Sequence, residues 1–153
     1  MRFTACTLFN QKIYIADYNG SGKLFEYTPE GTFLKVVATS APPFDVTSMN
    51  KRLIAVTYGR KKYLEIISVE NMTVEKKTTF KNKCWGIASQ NQKLYVHMST
   101  EGVIELDETG HVLRTVKPNT GSALYVTVTK DRIVYADYKN KSVHCCDMSG
   151  KEI

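Results

Sequence analysis

The sequence lacks both a long apolar run and a secretory leader. No segment approaches the roughly 18 consecutive apolar residues that a membrane-spanning helix needs. The first residues also carry no apolar stretch of the kind found in signal peptides. The sequence therefore predicts a cytoplasmic protein without a membrane partner.

Cysteines are few, and their spacing fits neither a metal site nor a disulfide framework. The four cysteines include no C-x-x-C pair, so the spacing of a zinc finger is absent. Thiols in a chain without a leader are normally reduced. We expect Cys6, Cys84, Cys145 and Cys146 to be buried in strands and to have no redox role.

Catalytic and cofactor signatures are scarce as well. His97, His111 and His144 fall on different strands or turns, and no carboxylate is spaced to complete a metal-binding set with them. Asp17 and Asp137 occupy equivalent positions, which favours a repeated turn-capping role over catalysis. Nucleophile elbows and glycine-rich phosphate loops are missing. We expect no catalytic residue, no metal and no cofactor, and the sequence identifies no small-molecule substrate; a metal-dependent hydrolase or lyase is the distant alternative.

The residues that are abundant favour strands. The chain contains nine Tyr and six Phe, and 42% of its 153 residues are hydrophobic. Aromatic and β-branched side chains fit the pleated surface of a sheet. No long stretch has the three-four apolar spacing of an amphipathic helix. The sequence therefore predicts an all-β fold.

A repeat of about forty residues organises the chain. Similar segments begin with a basic residue at 12–18, 52–58, 93–99 and 132–138, with offsets of 40, 41 and 39. A second set of positions, Gly31, Asn71, Gly110 and Gly150, follows at offsets of 40, 39 and 40. Glycine and asparagine most readily adopt positive φ, so this set predicts one tight hairpin turn in every repeat.

Each repeat divides into four short strands. In the third repeat we expect strands at 85–89, 93–98, 103–107 and 111–117, joined by short polar turns. Four-stranded antiparallel meanders repeated in this way are the blades of a β-propeller. The second strands of the four blades are predicted at 12–17, 52–57, 93–98 and 132–137. A stacked solenoid is the alternative, although its usual signatures are missing.

The third repeat resembles the NHL repeat. Its segments CWGIA at 84–88, KLYV at 93–96 and VIELDETG at 103–110 are similar to the family pattern, which runs from Gly-Ile-Ala through a Tyr-Val-Ala-Asp strand to an aspartate-and-glycine turn. YIADY at 14–18 and YADY at 135–138 match the middle of that pattern more closely. The second repeat departs from it, with Thr57 in place of the aspartate.

This resemblance implies a propeller that usually has six blades and often forms the C-terminal domain of tripartite-motif ubiquitin ligases. The RING, B-box and coiled-coil segments that precede such propellers are absent from the sequence, so ligase activity would belong to other domains. We expect blades at about 3–40, 41–81, 82–119 and 120–153. They should form an open arc in which the last blade is incomplete.

Basic residues concentrate at one end of the predicted blades. The loops between second and third strands share that end with the links between blades. The candidate binding residues there are Arg60, Lys61, Lys62, Lys81, Lys83, Lys117, Lys139 and Lys141, with the aromatics Tyr58, Trp85 and Tyr138. The net charge is +6, which is compatible with attraction to phosphates.

Three interpretations of this basic end remain open. The leading one is recognition of a protein or peptide partner, as in the substrate-recognition propeller of a tripartite-motif-like ligase. The alternative is single-stranded RNA, held by backbone contacts and stacking, which the resemblance also implies. Lysines in loops also simply keep many proteins soluble.

Overall fold

The computed structural model describes residues 3–117 and 123–153, and within them the chain forms strands and turns without a helix. The first sheet contains β1 (Ala5–Phe9), β2 (Lys12–Asp17), β3 (Lys23–Tyr27) and β4 (Phe33–Val37). The second contains β5 (Asp45–Asn50), β6 (Leu53–Thr57), β7 (Tyr63–Ser68) and β8 (Val74–Thr79). The third contains β9 (Cys84–Gln90), β10 (Lys93–Met98), β11 (Gly102–Leu106) and β12 (Val112–Val116). The fourth contains β13 (Ala123–Val128), β14 (Arg132–Asp137) and β15 (Ser142–Asp147).

Every sheet is an antiparallel meander whose strands pair in chain order. Consecutive sheets contact through their first strands, β1 with β5, β5 with β9 and β9 with β13. No comparable packing joins β13 to β1 in the part of the chain that the structure describes. The sheets are therefore propeller blades in an arc, as predicted, and the second strands lie within one residue of their predicted limits.

Three apolar clusters fill the spaces between the blades. The first lies between the first and second sheets and includes Tyr14 and Ile54. The second joins the second and third sheets, and the third joins the third and fourth. Successive side chains of a strand point to opposite faces, so each central blade contributes to two clusters.

The hairpins between first and second strands correct the repeat alignment. Two-residue turns place Lys12, Leu53, Lys93 and Arg132 at equivalent positions. Leu53, rather than Arg52, therefore begins the second strand of the second blade. A shift of one residue exchanges the two faces of a strand, so burial decides the register. Ile54 and Val56 are buried against the first sheet.

The predicted glycine turns are confirmed in three blades. Gly31, Gly110 and Gly150 have φ of 88°, 81° and 94°. In the second blade the prediction fails for Asn71, because the positive φ of 56° belongs to Met72, one residue later. The Asn71 side chain instead accepts a hydrogen bond from the Thr73 hydroxyl at 2.7 Å.

The cysteines are free thiols, but they are not all buried. Cys84 and Cys146 are buried, Cys145 is half-buried and Cys6 is exposed. The Cys6 side chain lies on the face of the first sheet that no described sheet covers. Among the described residues, no helix has the length and apolar character needed to cross a membrane.

Candidate functional site

A cavity of about 970 Å³ lies at the end of the arc where the loops between second and third strands meet the links between blades. All four blades or their links contribute to it. Its lining consists of Tyr18, Asn19, Pro42, Phe44, Tyr58, Arg60, Lys61, Lys83, Trp85, Leu124 and Tyr138. This is the end at which the sequence places the candidate binding residues.

The structure brings about half of those candidates together. Arg60, Lys61, Lys83, Trp85 and Tyr138 line the cavity, as does Tyr58 from below. The remaining candidates are exposed but lie outside the cavity lining: Lys62, Lys81, Lys117, Lys139 and Lys141. The cavity thus combines a compact cationic rim with further lysines around it.

Aromatic rings form the floor of the cavity. Phe44 packs edge-on against Tyr18 and Trp85, with ring centroids 5.4 Å and 4.9 Å away. Phe44 also stacks on Tyr125 of the fourth blade at 5.6 Å. The Trp85 indole N–H donates a hydrogen bond to the Ser99 hydroxyl at 2.8 Å. These contacts hold the rings of three blades in one rigid apolar surface.

Tyr58 lies beneath this surface rather than on it. Its side chain is fully buried, and its hydroxyl donates a hydrogen bond to the Glu65 carboxylate. Ser40, from the link between the first two blades, donates to the other Glu65 oxygen at 2.7 Å. Burial, followed by the bond to Glu65, raises the pKa of Tyr58 far above its usual value. Tyr58 therefore supports the cavity floor and is closed to a large partner.

The cationic candidates have no carboxylate partner. None of the eight basic candidates forms an ion pair within the described residues. Elsewhere, strand lysines and arginines lie against carboxylates, as Lys93 and Arg114 do against Glu105. The positive charge at the cavity is consequently available to a ligand.

Sequence reasoning missed the residues that the links between blades supply. Pro42 and Phe44 precede the second blade, and Leu124 belongs to the first strand of the fourth. Tyr18 and Asn19 follow the second strand of the first blade. One signal was present in the sequence: Asp17-Tyr18 and Asp137-Tyr138 are equivalent pairs, and the tyrosines of both pairs reach the cavity.

The aspartates of these pairs cap turns, as predicted. The Asp17 carboxylate accepts hydrogen bonds from the backbone N–H and hydroxyl of Ser21, at 2.7 Å and 2.9 Å. The Asp137 carboxylate accepts from the backbone N–H of Lys139 at 3.0 Å. No group of three histidine, cysteine, aspartate or glutamate side chains in residues 3–117 and 123–153 is placed to hold a metal ion.

No protein-family profile and no curated protein sequence matches the chain. Solved structures do resemble it. The RRP9 WD40 repeats align with a TM-score of 0.77 at 14% identity, over 95% of this chain and 48% of theirs. U3-55K aligns with a TM-score of 0.79 at 13% identity, over 99% of this chain and 50% of its own. The hydrazine synthase of Kuenenia stuttgartiensis aligns with a TM-score of 0.81 at 13% identity, over 99% of this chain and 48% of its own.

These likenesses concern the fold alone, because the identities are low. They confirm the predicted β-propeller. The chain spans about half the length of each structure that it matches. The finer resemblance to NHL repeats, and the six-bladed parent that it implies, stay predictions.

Proposed function

We propose that this chain is a protein-interaction module whose cavity binds a peptide segment carrying acidic and apolar side chains. The supporting observation is the cationic rim without carboxylate partners above a rigid aromatic floor. An apolar side chain would bury surface against Phe44 and Trp85. A neighbouring carboxylate would form charge-assisted hydrogen bonds with Arg60, Lys61 or Lys83.

The packing of the floor favours a peptide over a stacked nucleic acid strand. Bases stack on exposed ring faces. Phe44 is only 5% exposed, with its ring held between Trp85 and Tyr125. Tyr138, at 56% exposure, is the ring at the rim that offers a free face. A concave apolar floor suits one inserted side chain better than a run of bases.

The biological setting is part of the same proposal. If the resemblance to NHL propellers holds, the cavity selects substrates for a tripartite-motif-like ubiquitin ligase in the cytoplasm. The transfer of ubiquitin would then belong to domains other than this propeller.

A random-peptide display selection tests the proposal. The immobilised chain should enrich peptides that place aspartate or glutamate next to an aromatic or aliphatic residue. Arg60→Glu, Lys61→Glu and Lys83→Glu together should reduce affinity for those peptides at least about 100-fold, since each lost charged contact costs about 1.5–3 kcal/mol.

The matched control reverses three charges at the opposite end of the blades, with Lys51→Glu, Lys130→Glu and Lys151→Glu. These lysines are exposed in turns remote from the cavity. The control should bind the selected peptides as the unmodified chain does. Equal loss in both variants would reject the cavity as the peptide site.

Single-stranded RNA is the second candidate, because exposed cations continue beyond the rim at Lys62, Lys81, Lys139 and Lys141. A titration with oligouridylate at two salt concentrations distinguishes it. Phosphate binding requires an affinity that falls steeply with salt, by about 0.7 in log-log slope for each neutralised phosphate. The slope should also fall when Arg60, Lys61, Lys62, Lys81 and Lys83 are replaced by glutamate. Affinity equal to that of a neutral control protein would exclude RNA.

A further inference from the structure

The first sheet has one apolar face that no other described sheet covers. Tyr14, Ala16 and Leu24 pack against the second sheet. The alternating residues Ile13 and Ile15 therefore point away from it. Both are only partly buried.

This uncovered face is continuous across all four strands. Its side chains form two cross-strand rows, Cys6-Ile15-Phe25-Val36 and Leu8-Ile13-Tyr27-Phe33. The rows contain no charged residue. Leu8 is 66% exposed and Phe33 is 52% exposed. Isolated apolar residues are ordinary on a surface, but a contiguous apolar face is typical of an interaction site.

The fourth sheet has a corresponding face on its other side. Ile133, Tyr135 and Cys146 pack against the third sheet. The opposite side carries two shorter rows, Thr127-Val134-Cys145 and Tyr125-Ala136-Val143. Val143 is 74% exposed. These two rows contain no charged side chain, whereas the next row of the same face pairs Arg132 with Asp147.

The two uncovered faces are the two halves of the interface that already repeats between blades. The equivalents of Ile13 are Ile54, Leu94 and Ile133, and each packs toward the preceding blade. The equivalents of Val134 are Tyr14, Ala55 and Tyr95, and each packs toward the following blade. The fourth sheet thus presents the face that, elsewhere in the arc, packs on a face like that of the first.

We propose that two copies of this chain close into one ring, with the fourth sheet of each copy packed on the first sheet of the other. Two copies cover both apolar faces at once, whereas any partner with a single blade face would leave one exposed. Each matched chain is about twice as long as this chain, which spans 48–50% of it. The pairing does not rest on the proposed peptide site, although Tyr125 in the second row of the fourth-sheet face also stacks on Phe44 of the cavity floor.

Size-exclusion chromatography with light scattering tests the pairing. The chain should have twice its single-chain mass of 17.3 kDa at micromolar concentration. Leu8→Lys and Val143→Lys should each give a monomer, because every copy contributes both faces and each substitution therefore damages both interfaces. Both positions are more than half exposed, so these changes leave the cores between blades intact.

Mixing the two variants provides the sharper readout. The Leu8→Lys copy keeps an intact fourth-sheet face and the Val143→Lys copy keeps an intact first-sheet face, so the mixture should recover a heterodimer with one sound interface. Val112→Lys, at a 53% exposed position on the outer strand of the third sheet, is the control and should remain dimeric. Circular dichroism should show the same β content in all variants. A monomeric unmodified chain, a ladder of larger oligomers, or a Leu8→Lys variant that still pairs with itself would overturn the proposal.

Discussion

Cations on the sheet surfaces and cations at the cavity rim have opposite surroundings. On the third sheet, Lys93 and Arg114 each lie 2.6 Å from an oxygen of Glu105, whose side chain is only 3% exposed. On the first sheet, Lys12 lies 2.7 Å from the equivalent Glu26. At the rim, the basic side chains meet no carboxylate among the described residues. The first group neutralises buried charge, and the second does not.

The electrostatics of Glu105 agree with a structural role. Burial alone would raise the pKa of its carboxyl group, but the hydrogen bonds and charges of Lys93 and Arg114 outweigh burial and lower it. The carboxylate is therefore charged in the folded protein. The comparison predicts that changes on the sheets cost stability, whereas changes at the rim cost binding.

The largest effect is expected for Glu105→Ala. Removing the carboxylate leaves Lys93 and Arg114 without their partner, and breaking a buried ion pair costs about 3–5 kcal/mol. Because both cations are nearly half exposed and regain water, we expect a loss of about 3 kcal/mol in the free energy of unfolding, measured with urea. Glu108→Ala, in an exposed turn of the same sheet, should cost less than about 0.5 kcal/mol. Similar losses in both variants would contradict the comparison.

Asp45 is also a buried carboxylate, but its pKa is raised rather than lowered. It is 7% exposed and accepts hydrogen bonds from the backbone N–H groups of Val46 and Ile87, at 2.8 Å and 2.9 Å. Burial exceeds the effect of these bonds and raises its pKa to about 7. No ion pair with a cation compensates for that burial in the described structure.

The next largest effect is therefore a pH dependence. Because the folded-state pKa of Asp45 lies above its ordinary value of 3.8, folding takes up a proton, and the free energy of unfolding falls as pH rises from about 4 to 7. Buried His97 acts in the opposite direction, since burial lowers its pKa to about 4. The difference in free energy of unfolding between Asp45→Asn and the unmodified chain should therefore shift by about 2 kcal/mol in favour of the variant as pH rises from 5 to 7. A stability difference, measured by urea unfolding, that stays constant from pH 5 to pH 7 would refute this prediction.

The sequence predicted the blades because their periodicity is local. Strand residues, two-residue turns and glycines with positive φ recur within each repeat and need no knowledge of neighbouring blades. Which face of each strand is buried was harder to predict from the sequence. Arg52 resembles Lys12 in sequence, yet Leu53 takes the equivalent place. Burial of Ile54 against the first blade decides that register, and it is a contact between blades.

The position of the candidate residues at the cavity was predicted in part for the same reason. Arg60, Lys61 and Lys83 are loop residues whose location follows from blade topology alone. Phe44 was missed, because its role comes from contacts with rings of other blades. Tyr58 was predicted at the surface, yet it is buried in the apolar cluster between the first and second sheets, and its hydroxyl bonds to Glu65, a partner that no local pattern reveals.

A smaller loss of stability is expected from a change in the aromatic floor of the cavity. Trp85→Phe keeps an aromatic ring near Phe44 but removes the hydrogen bond to Ser99, which should cost about 1 kcal/mol of stability. Ser99→Ala should cost a similar amount. If this bond accounts for both losses, the double variant will be no less stable than either single variant by thermal or urea unfolding. Fully additive losses would show that the two side chains act separately.

The smallest effect on stability is expected at the rim itself. Lys61→Gln and Lys83→Gln together remove two exposed charges that have no partner in the described structure, so no favourable ion pair is lost. Exposed charges contribute at most about 1 kcal/mol, and relief of repulsion with Arg60 should make this variant equal to the unmodified chain or more stable by a few tenths of a kcal/mol. That gain should vanish in high salt. Lys93→Gln is the matched sheet variant: it leaves buried Glu105 with one cation and should destabilise the chain. If both changes shift urea midpoints equally, the cations at the rim are structural, and the distinction between the two groups fails.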